Sequence, residues 1–543
     1  MSGSSAPKNI FQIGLKLWLI LLMVQLSNML FGMTITIANV VLPQIRGTMS
    51  VSQDEASWSI TLNLVAAAVA TPLTGWLAGR LGWRTLMFGT VLGFTISSFL
   101  CAVAPNLETL ILFRIGQGIF GAPIMPLGQA IILSSFPKHL QPTAIVLWGV
   151  GAVFGPVVGP VIGSMMAELY DWRAAFFILV PVGAVTLACI WFALSSHNRG
   201  ERNHFDWIGF LALSLAIIAL QLIFDRGHRL DWFDSHVITF LTVIGLLSFW
   251  IFLVHCFFSK SPFVNLRIFL DKNFSLGTII SFIMGTLAFT GLVLFPSLLH
   301  DLRGYPDSLI GILVGSRGFG NWIAFLVIIP LTKSLPRVSL SIGLLIQAFA
   351  SYMMAQFDIN LTNFDIIWTN ILLGFGQSIA FTPMAILAFA TLPKKQITEG
   401  TTIFTLMRNF GSSIFISLSV LVLLRSTSQS YSNISENLSL FYKGQSIPSL
   451  PSHWVPDGLL GLHQVSGEIL RQASMIGYIN SFHLMALAAF LAAPLAIYVA
   501  NELKVTLLVG LPFSSILLNI SKSLPDRSDS GVVGYEYTIA MLF

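Results

Sequence analysis

Residues 151–163 read Gly151-Ala152-Val153-Phe154-Gly155-Pro156-Val157-Val158-Gly159-Pro160-Val161-Ile162-Gly163, an uncharged stretch inside an apolar run over 143–166. Glycines spaced by four fall on one stripe of a helix, where a second helix can approach backbone to backbone. Pro156 and Pro160 sit in the same turns. Each bends the helix and frees carbonyls, which a protein accepts where helices rock or line a cavity. Close packing alone explains the glycines; the prolines favour a hinge-like element.

Similar apolar runs recur on both sides. They are expected over 16–37, 57–78, 85–104, 109–133, 143–166, 174–195, 207–225, 236–257, 275–298, 308–331, 337–357, 364–391, 401–424 and 481–500. Each is about 20 residues, enough to cross roughly 30 Å of hydrocarbon as a helix. With 55% hydrophobic and 9% charged residues in 543, the chain lacks the charge that wets a soluble surface. Continuous runs also exclude barrel strands, which alternate apolar and polar residues. The expected class is therefore an all-α membrane protein with about fourteen spans. The runs number six over 1–195, two over 196–260 and six over 261–500, followed by an atypical tail over 501–543.

The net charge of +5 does not point to nucleic acid, because the basic residues sit in short loops between spans. With the N-terminus inside, the inner loops hold Arg80, Arg84, Lys138, Arg199, Arg202, Lys260, Arg267, Lys272, Lys333, Arg337, Lys394 and Lys395. The outer loops hold fewer, so both termini are expected to be cytoplasmic. Residues 1–9 form a polar lead with no cleavage site after the first span. Residues 425–478 read as the longest loop, extracytoplasmic, with one short helix on the membrane or the bundle. The run 505–520, broken by Gly510 and Pro512, reads as a surface tail rather than a fifteenth span.

Neither a phosphate-cradling GxxxxGK[ST] loop nor a HExxH or GxSxG motif occurs. An ATP-driven pump and a hydrolase are thereby disfavoured, and transport would draw on an ion gradient or the substrate's own. Cys101, Cys189 and Cys256 lie in apolar segments without CxxC spacing, so neither metal nor cofactor is expected. Charges inside spans are costly and mark function by default. Arg114 is the clearest. Gln117, Gly118 and Gly121 follow it at helical spacings, so a cation, an amide and two small residues share a face. Such a cation can hold an acid ionised or release it; the alternative is a clamp on backbone carbonyls. Arg317 and Arg408 raise the same question, with a position near an aqueous vestibule equally open. In Gly75-Trp76-Leu77-Ala78-Gly79-Arg80-Leu81-Gly82-Trp83-Arg84, the arginines are held by glycine turns. They can pair with helix C-terminal carbonyls as a cytoplasmic latch, or serve as ordinary positive-inside anchors.

In this order, these segments resemble the signature motifs of the major facilitator superfamily, specifically the fourteen-span drug:proton antiporters of the EmrB/QacA type, with the EmrB branch the nearer. The likeness runs from Thr36-Ile37-Ala38-Asn39-Val40-Val41-Leu42-Pro43 through the Gly75–Arg84 loop, the Arg114–Gly121 face and the Gly151–Gly163 stripe. It continues in Leu220–Phe233, Arg317-Gly318, Gly374 with Gly376, and Arg408-Asn409-Phe410-Gly411. The resemblance implies a six-helix bundle over 1–195 and another over 261–500 with two extra central spans over 196–260, alternating access, and export of amphipathic drugs from an inner membrane by proton antiport. It also implies, in a Gram-negative host, a periplasmic adaptor and an outer-membrane channel as partners.

The departures bear on coupling. Thr34 and Asn480 stand where relatives usually carry acids, Gly79 replaces the acid of the loop motif, and Leu179 replaces an Asn. A proton antiporter needs a group whose protonation differs between its two states. Glu168, beyond the glycine stripe, is the first candidate, with a solvated surface acid as the alternative. Asp225, beside Arg226, is the second, with a helix-end ion pair as the alternative. Asp206 reads as a helix N-cap. Thr34, Asn39, Gln117, Gly118, Gly151, Gly155, Pro156, Gly159, Pro160, Arg317 and Arg408 are the expected cavity or gating positions. Two other readings stand beside drug export: export of one metabolite such as a siderophore with altered coupling, and a membrane sensor or scaffold that does not transport.

Overall fold

The computed structural model describes residues 14–137, 140–194, 205–227, 230–259, 262–393, 396–437 and 459–498. The expected tail over 501–543 and the basic residues Lys138, Arg199, Arg202, Lys260, Lys394 and Lys395 lie outside them.

The described chain is helical. The first half comprises α1 (Leu15–Met49), α2 (Gln53–Ala70), α3 (Leu73–Leu81), α4 (Trp83–Ala102), α5 (Leu107–Gly121), α6 (Ile124–Ser135), α7 (Gln141–Leu169), α8 (Trp172–Phe177) and α9 (Leu179–Ala193). Two helices follow, α10 (Trp207–Arg226) and α11 (His236–Phe258). The second half comprises α12 (Lys272–Arg303), α13 (Asp307–Ser334), α14 (Pro336–Met354), α15 (Asn363–Phe389), α16 (Ile397–Asn437) and α17 (Leu459–Ala492).

Twelve spans among the described residues are long and apolar enough to cross a membrane, and α2 with α3 forms a thirteenth bent by 56°. The 28-residue α13, packed against α7 and α15, completes fourteen crossings. Three runs that read as single spans are broken helices. The 57–78 run breaks at Pro72 and the 109–133 run at Pro123, where proline removes an internal hydrogen bond. The 174–195 run divides between α8 and α9.

Side chains at the helix ends place the turns. Ser52 and Glu55 form a capping box at α2, Thr362 and Asp365 another at α15, and Asn106 and Asp271 cap α5 and α12. Asp206 caps α10 as expected, accepting from Gly209 N at 3.0 Å, and also binds His255 Nε2 at 2.8 Å and Phe263 N at 2.9 Å.

Within the first half α1 packs on α7, α2 on α5, and α4 on α5 and α9; within the second, α12 packs on α16, α13 on α15, and α14 on α15 and α17. These are two six-span bundles. The extra pair, central in the sequence, lies at the outside. There α10 contacts α2 and α16, while α11 exposes Phe240, Leu246, Leu247 and Trp250, as a lipid-facing helix should. The expected long loop over 425–478 is corrected. Helix α16 runs on to Asn437 and α17 starts at Leu459, with Asn480 donating to Ser426 Oγ at 3.0 Å and Tyr431 beside Ser466 at 3.1 Å. The polar residues here end the apolar run without ending the helices. At 41 residues α16 is about 60 Å long, twice what the hydrocarbon requires.

Candidate functional site

Helix α1 begins at one face of the protein, the near face, and ends at the other, the far face. The two bundles meet mainly through α7 against α13, with α6 against α16 and α7 against α15. Between them lies a small cavity. Met125, Pro156 and Val157 line it from the first half, and Met284, Phe289, Leu292 and Phe381 from the second. Its polar wall is Arg317, Gln377 and Arg408, and no carboxylate lines it among the described residues.

The two arginines are held differently. Arg317, 1% exposed on α13, donates through Nη2 to Gln377 Oε1 on α15 and to Leu287 O at 3.4 Å. Arg408, 7% exposed on α16, directs Nη2 at Met125 Sδ across the halves at 2.9 Å, with its Cζ 5.6 Å from the Phe381 ring centre. Both therefore line the cavity, and the vestibule position left open by the sequence does not describe them.

The halves touch on both sides of this cavity. On the near side Trp148 of α7 stacks on Phe381 of α15 with centroids 5.7 Å apart, and Gly75 of α3 packs on the backbone of Glu399 in α16. On the far side Glu168 Oε1 accepts from Ser308 N at 2.9 Å. An exposed carboxylate on α7 thus satisfies a free backbone donor in the first turn of α13, where the helix dipole also favours it.

Packing explains the glycine stripe. A Cβ at Gly155 would stand 2.8 Å from Met29 O, and one at Gly159 would stand 2.9 Å from Met33 O, so α1 lies against α7 backbone to backbone. At Gly151 a Cβ would strike Gln25, whose Oε1 accepts from Gly151 N at 3.1 Å. Gly32 of α1 receives the ring of Pro156.

Residues 24–416, well over half of the chain, match the family described as the Major Facilitator Superfamily. The chain belongs to it. The multidrug export protein EmrB of Escherichia coli (strain K12) is 29% identical to this facilitator over 473 residues, covering 86% of this chain and 91% of that one. The fatty acid resistance protein FarB of Neisseria gonorrhoeae is 29% identical over 459 residues, 81% and 88% of the two chains. In fold it is similar to a bacterial homologue of the human lysosomal transporter Spinster in an inward-facing, occupied conformation. The TM-score is 0.53 at 15% identity, over 88% of this chain and 95% of that one.

In this facilitator Arg114 lies inside the first bundle, away from the cavity, and is 1% exposed. Its Nε donates to Ser59 O at 3.3 Å and its Nη1 to Gln117 Oε1 at 2.6 Å; Gln117 Nε2 donates to Ser98 Oγ at 2.7 Å and Thr34 Oγ1 at 3.3 Å. One cation and one amide thereby join α5 to α2, α4 and α1, the geometry of a clamp. Gly118 lies against the Asn63 carbonyl, and Asn63 Nδ2 donates to Arg114 O at 2.7 Å. Asn39 is half-buried on α1.

Asp225 is likewise outside the cavity. It accepts from Thr61 Oγ1 at 2.6 Å and pairs with Arg226 Nε at 3.4 Å, while Arg226 lies over Trp58 at 3.8 Å; together they fasten α10 to α2. The near-face loop divides its arginines. Arg84 reaches Trp191 O in the last turn of α9 at 3.3 Å, a helix C-terminal carbonyl as expected. Arg80 instead lies over the Trp76 ring at 5.2 Å. Gly82, at φ 80°, makes the turn between α3 and α4. Sequence reading missed Gln377, Phe381 and Trp148. The available signal was a lone amide and two large aromatics near the bundle-facing Gly374, Gly376 and Gly149.

Proposed function

We propose that this chain is a secondary active exporter of amphipathic compounds, working by alternating access in the inner membrane with both termini cytoplasmic. The observation that carries the reading is the largely apolar cavity between two bundles that touch on both of its sides. The apolar wall, with flexible Met125 and Met284, suits guests of varied shape. A sensor or scaffold has no use for such a cavity. The names of the relatives, a multidrug export protein and a fatty acid resistance protein, agree in substrate character.

Proton coupling is assigned to Glu168. Its carboxylate joins the halves at the far face, and protonation there removes the charge that holds the first turn of α13. Arg114 keeps the first bundle rigid as it moves. Asp225 is a fastening of α10 rather than a coupling group. In a Gram-negative envelope, the α16 and α17 extensions beyond the far face are where a periplasmic adaptor leading to an outer-membrane channel would meet the transporter.

The test is uptake into proteoliposomes, under an imposed pH gradient, of three probes with a twelve-carbon chain: dodecanoate, dodecyltrimethylammonium and methyl dodecanoate. Gradient-driven movement of at least one probe is expected, with coupling lost in Glu168→Gln. Folded protein that moves none would refute export. Unchanged coupling in Glu168→Gln would refute the choice of acid.

A further inference from the structure

The charge of the cavity goes beyond its apolar character. Among the described residues, Arg317 and Arg408 are its only charged lining residues, and neither has a carboxylate within ion-pair distance. Nor are their donors used up. Arg317 Nη1 and Arg408 Nε are buried without a hydrogen-bond partner, and the partners Arg408 does have are a thioether and the Phe381 ring. A guanidinium stays protonated, so neither can shed its charge. A buried cation without a counter-charge is costly, and each free N–H loses its water bonds with nothing in return. Arg114 and Arg317 each spend donors on a backbone oxygen and an amide, but Arg317 keeps Nη1 free, and Arg408 has neither kind of partner; both keep a free donor beside the cavity.

We propose that the cavity binds an amphipathic organic anion, a carboxylate or equivalent oxyanion on an apolar chain, with its head held by Arg317 and Arg408. The proposal rests on the export reading and narrows it. The planar forks of two arginines match the geometry of an oxyanion, and hydrogen bonds to an ionised acceptor are the stronger kind. As the bundles part, the tail is taken up along Met125, Met284, Phe289 and Leu292, where polarizable and flexible side chains accept different chain lengths. A lipophilic cation of the same length meets two like charges in a low-dielectric space and no compensating acid. The direction of transport also fits. A monoanion leaving a negative interior is favoured about 50-fold for each 100 mV of membrane potential, before any proton is counted.

The experiment measures binding of the same three probes to the purified full chain, followed by fluorescence of its tryptophans, and their transport in proteoliposomes. Dodecanoate is expected to bind at least about tenfold more tightly than either methyl dodecanoate or dodecyltrimethylammonium. Arg317→Gln and Arg408→Gln each reduce dodecanoate binding about tenfold and leave the methyl ester unchanged; Arg408→Lys, which keeps the charge, retains the anion preference. If the glutamine variants do not fold, Gln377→Glu provides the second route. A carboxylate beside Arg317 supplies the missing counter-charge from within, and the preference for dodecanoate falls. Equal or tighter binding of dodecyltrimethylammonium, or an unaltered preference in Gln377→Glu and the arginine variants, overturns the proposal while leaving export intact. Failure of all three probes to bind or move removes the proposal and the export reading together.

Discussion

Replacing Gly155 by alanine isolates the contact on which the first bundle is built. The added methyl would stand 2.8 Å from Met29 O and 3.0 Å from Met29 Cα, about 0.7 Å short of the separation at which such atoms rest. Both obstacles are backbone, so no rotamer change relieves them and α7 must move off α1. On its other side it meets α13, where a Cβ at Gly311 would already lie 3.1 Å from Pro160 O. Overpacking of this kind costs about 1–3 kcal/mol. Alanine regains about 1 kcal/mol of helix propensity. A net loss of about 1–2 kcal/mol is expected, together with a several-fold fall in transport. Gly89→Ala is the control, because nothing lies within 4 Å of the Cβ it would add, and it should be neutral or slightly stabilising. Thermal unfolding of both purified variants decides the matter. Equal stability of Gly155→Ala and Gly89→Ala would refute close backbone packing of α1 on α7.

Arg114→Ala leaves Gln117 Oε1 and Ser59 O without their donor in a dry interior, and should cost about 2–4 kcal/mol in thermal unfolding. Arg114→Lys should lose less, since an ammonium still serves one of the two acceptors. Trp148→Ala removes half of the near-side aromatic stack and should cost about 3 kcal/mol. It should also speed labelling of a cysteine at Ala152 by a thiol reagent from the near face, in a chain with Cys101, Cys189 and Cys256 changed to serine. Asp206→Ala leaves the Gly209 and Phe263 N–H groups unpaired and should lower stability by about 1–3 kcal/mol, whereas Asp206→Asn still caps α10 and should lose under about 1 kcal/mol.

What the sequence made legible was what lies within one helix. The apolar runs mark the spans, the glycine stripe at intervals of four marks the face that α1 covers, and Arg114 meets Gln117 because three residues along a helix are neighbours. Contacts between helices were not legible. Arg317 reaches Gln377 across 60 positions, and Arg408 reaches Met125 across 283. Periodicity gives the face of each helix but not the height at which it meets another. For the same reason Arg114, an attractive site residue by cost of burial alone, proved to bind a carbonyl inside one bundle. Helix ends failed in a different way at 425–478. Hydropathy measures the thickness of hydrocarbon crossed, and Ser426, Asn480, Tyr431 and Ser466 keep two helices paired beyond it. Pro72 and Pro123 were visible, but a proline in an apolar run is compatible with a mild kink or with the 56° break found at Pro72.

The central claim is that the two bundles part and close around the cavity during transport. It is tested most directly by joining Glu168→Cys to Ser308→Cys in a chain whose native cysteines are serine, using a short thiol cross-linker that a reductant cleaves. These positions carry the far-side contact at 2.9 Å. The joined protein is expected to bind dodecanoate but not to move it down its own concentration gradient, with downhill movement returning on reduction; proton coupling is not the readout, because this chain lacks the Glu168 carboxylate. Transport at the uncross-linked rate by protein shown to be fully joined would contradict alternating access through this cavity.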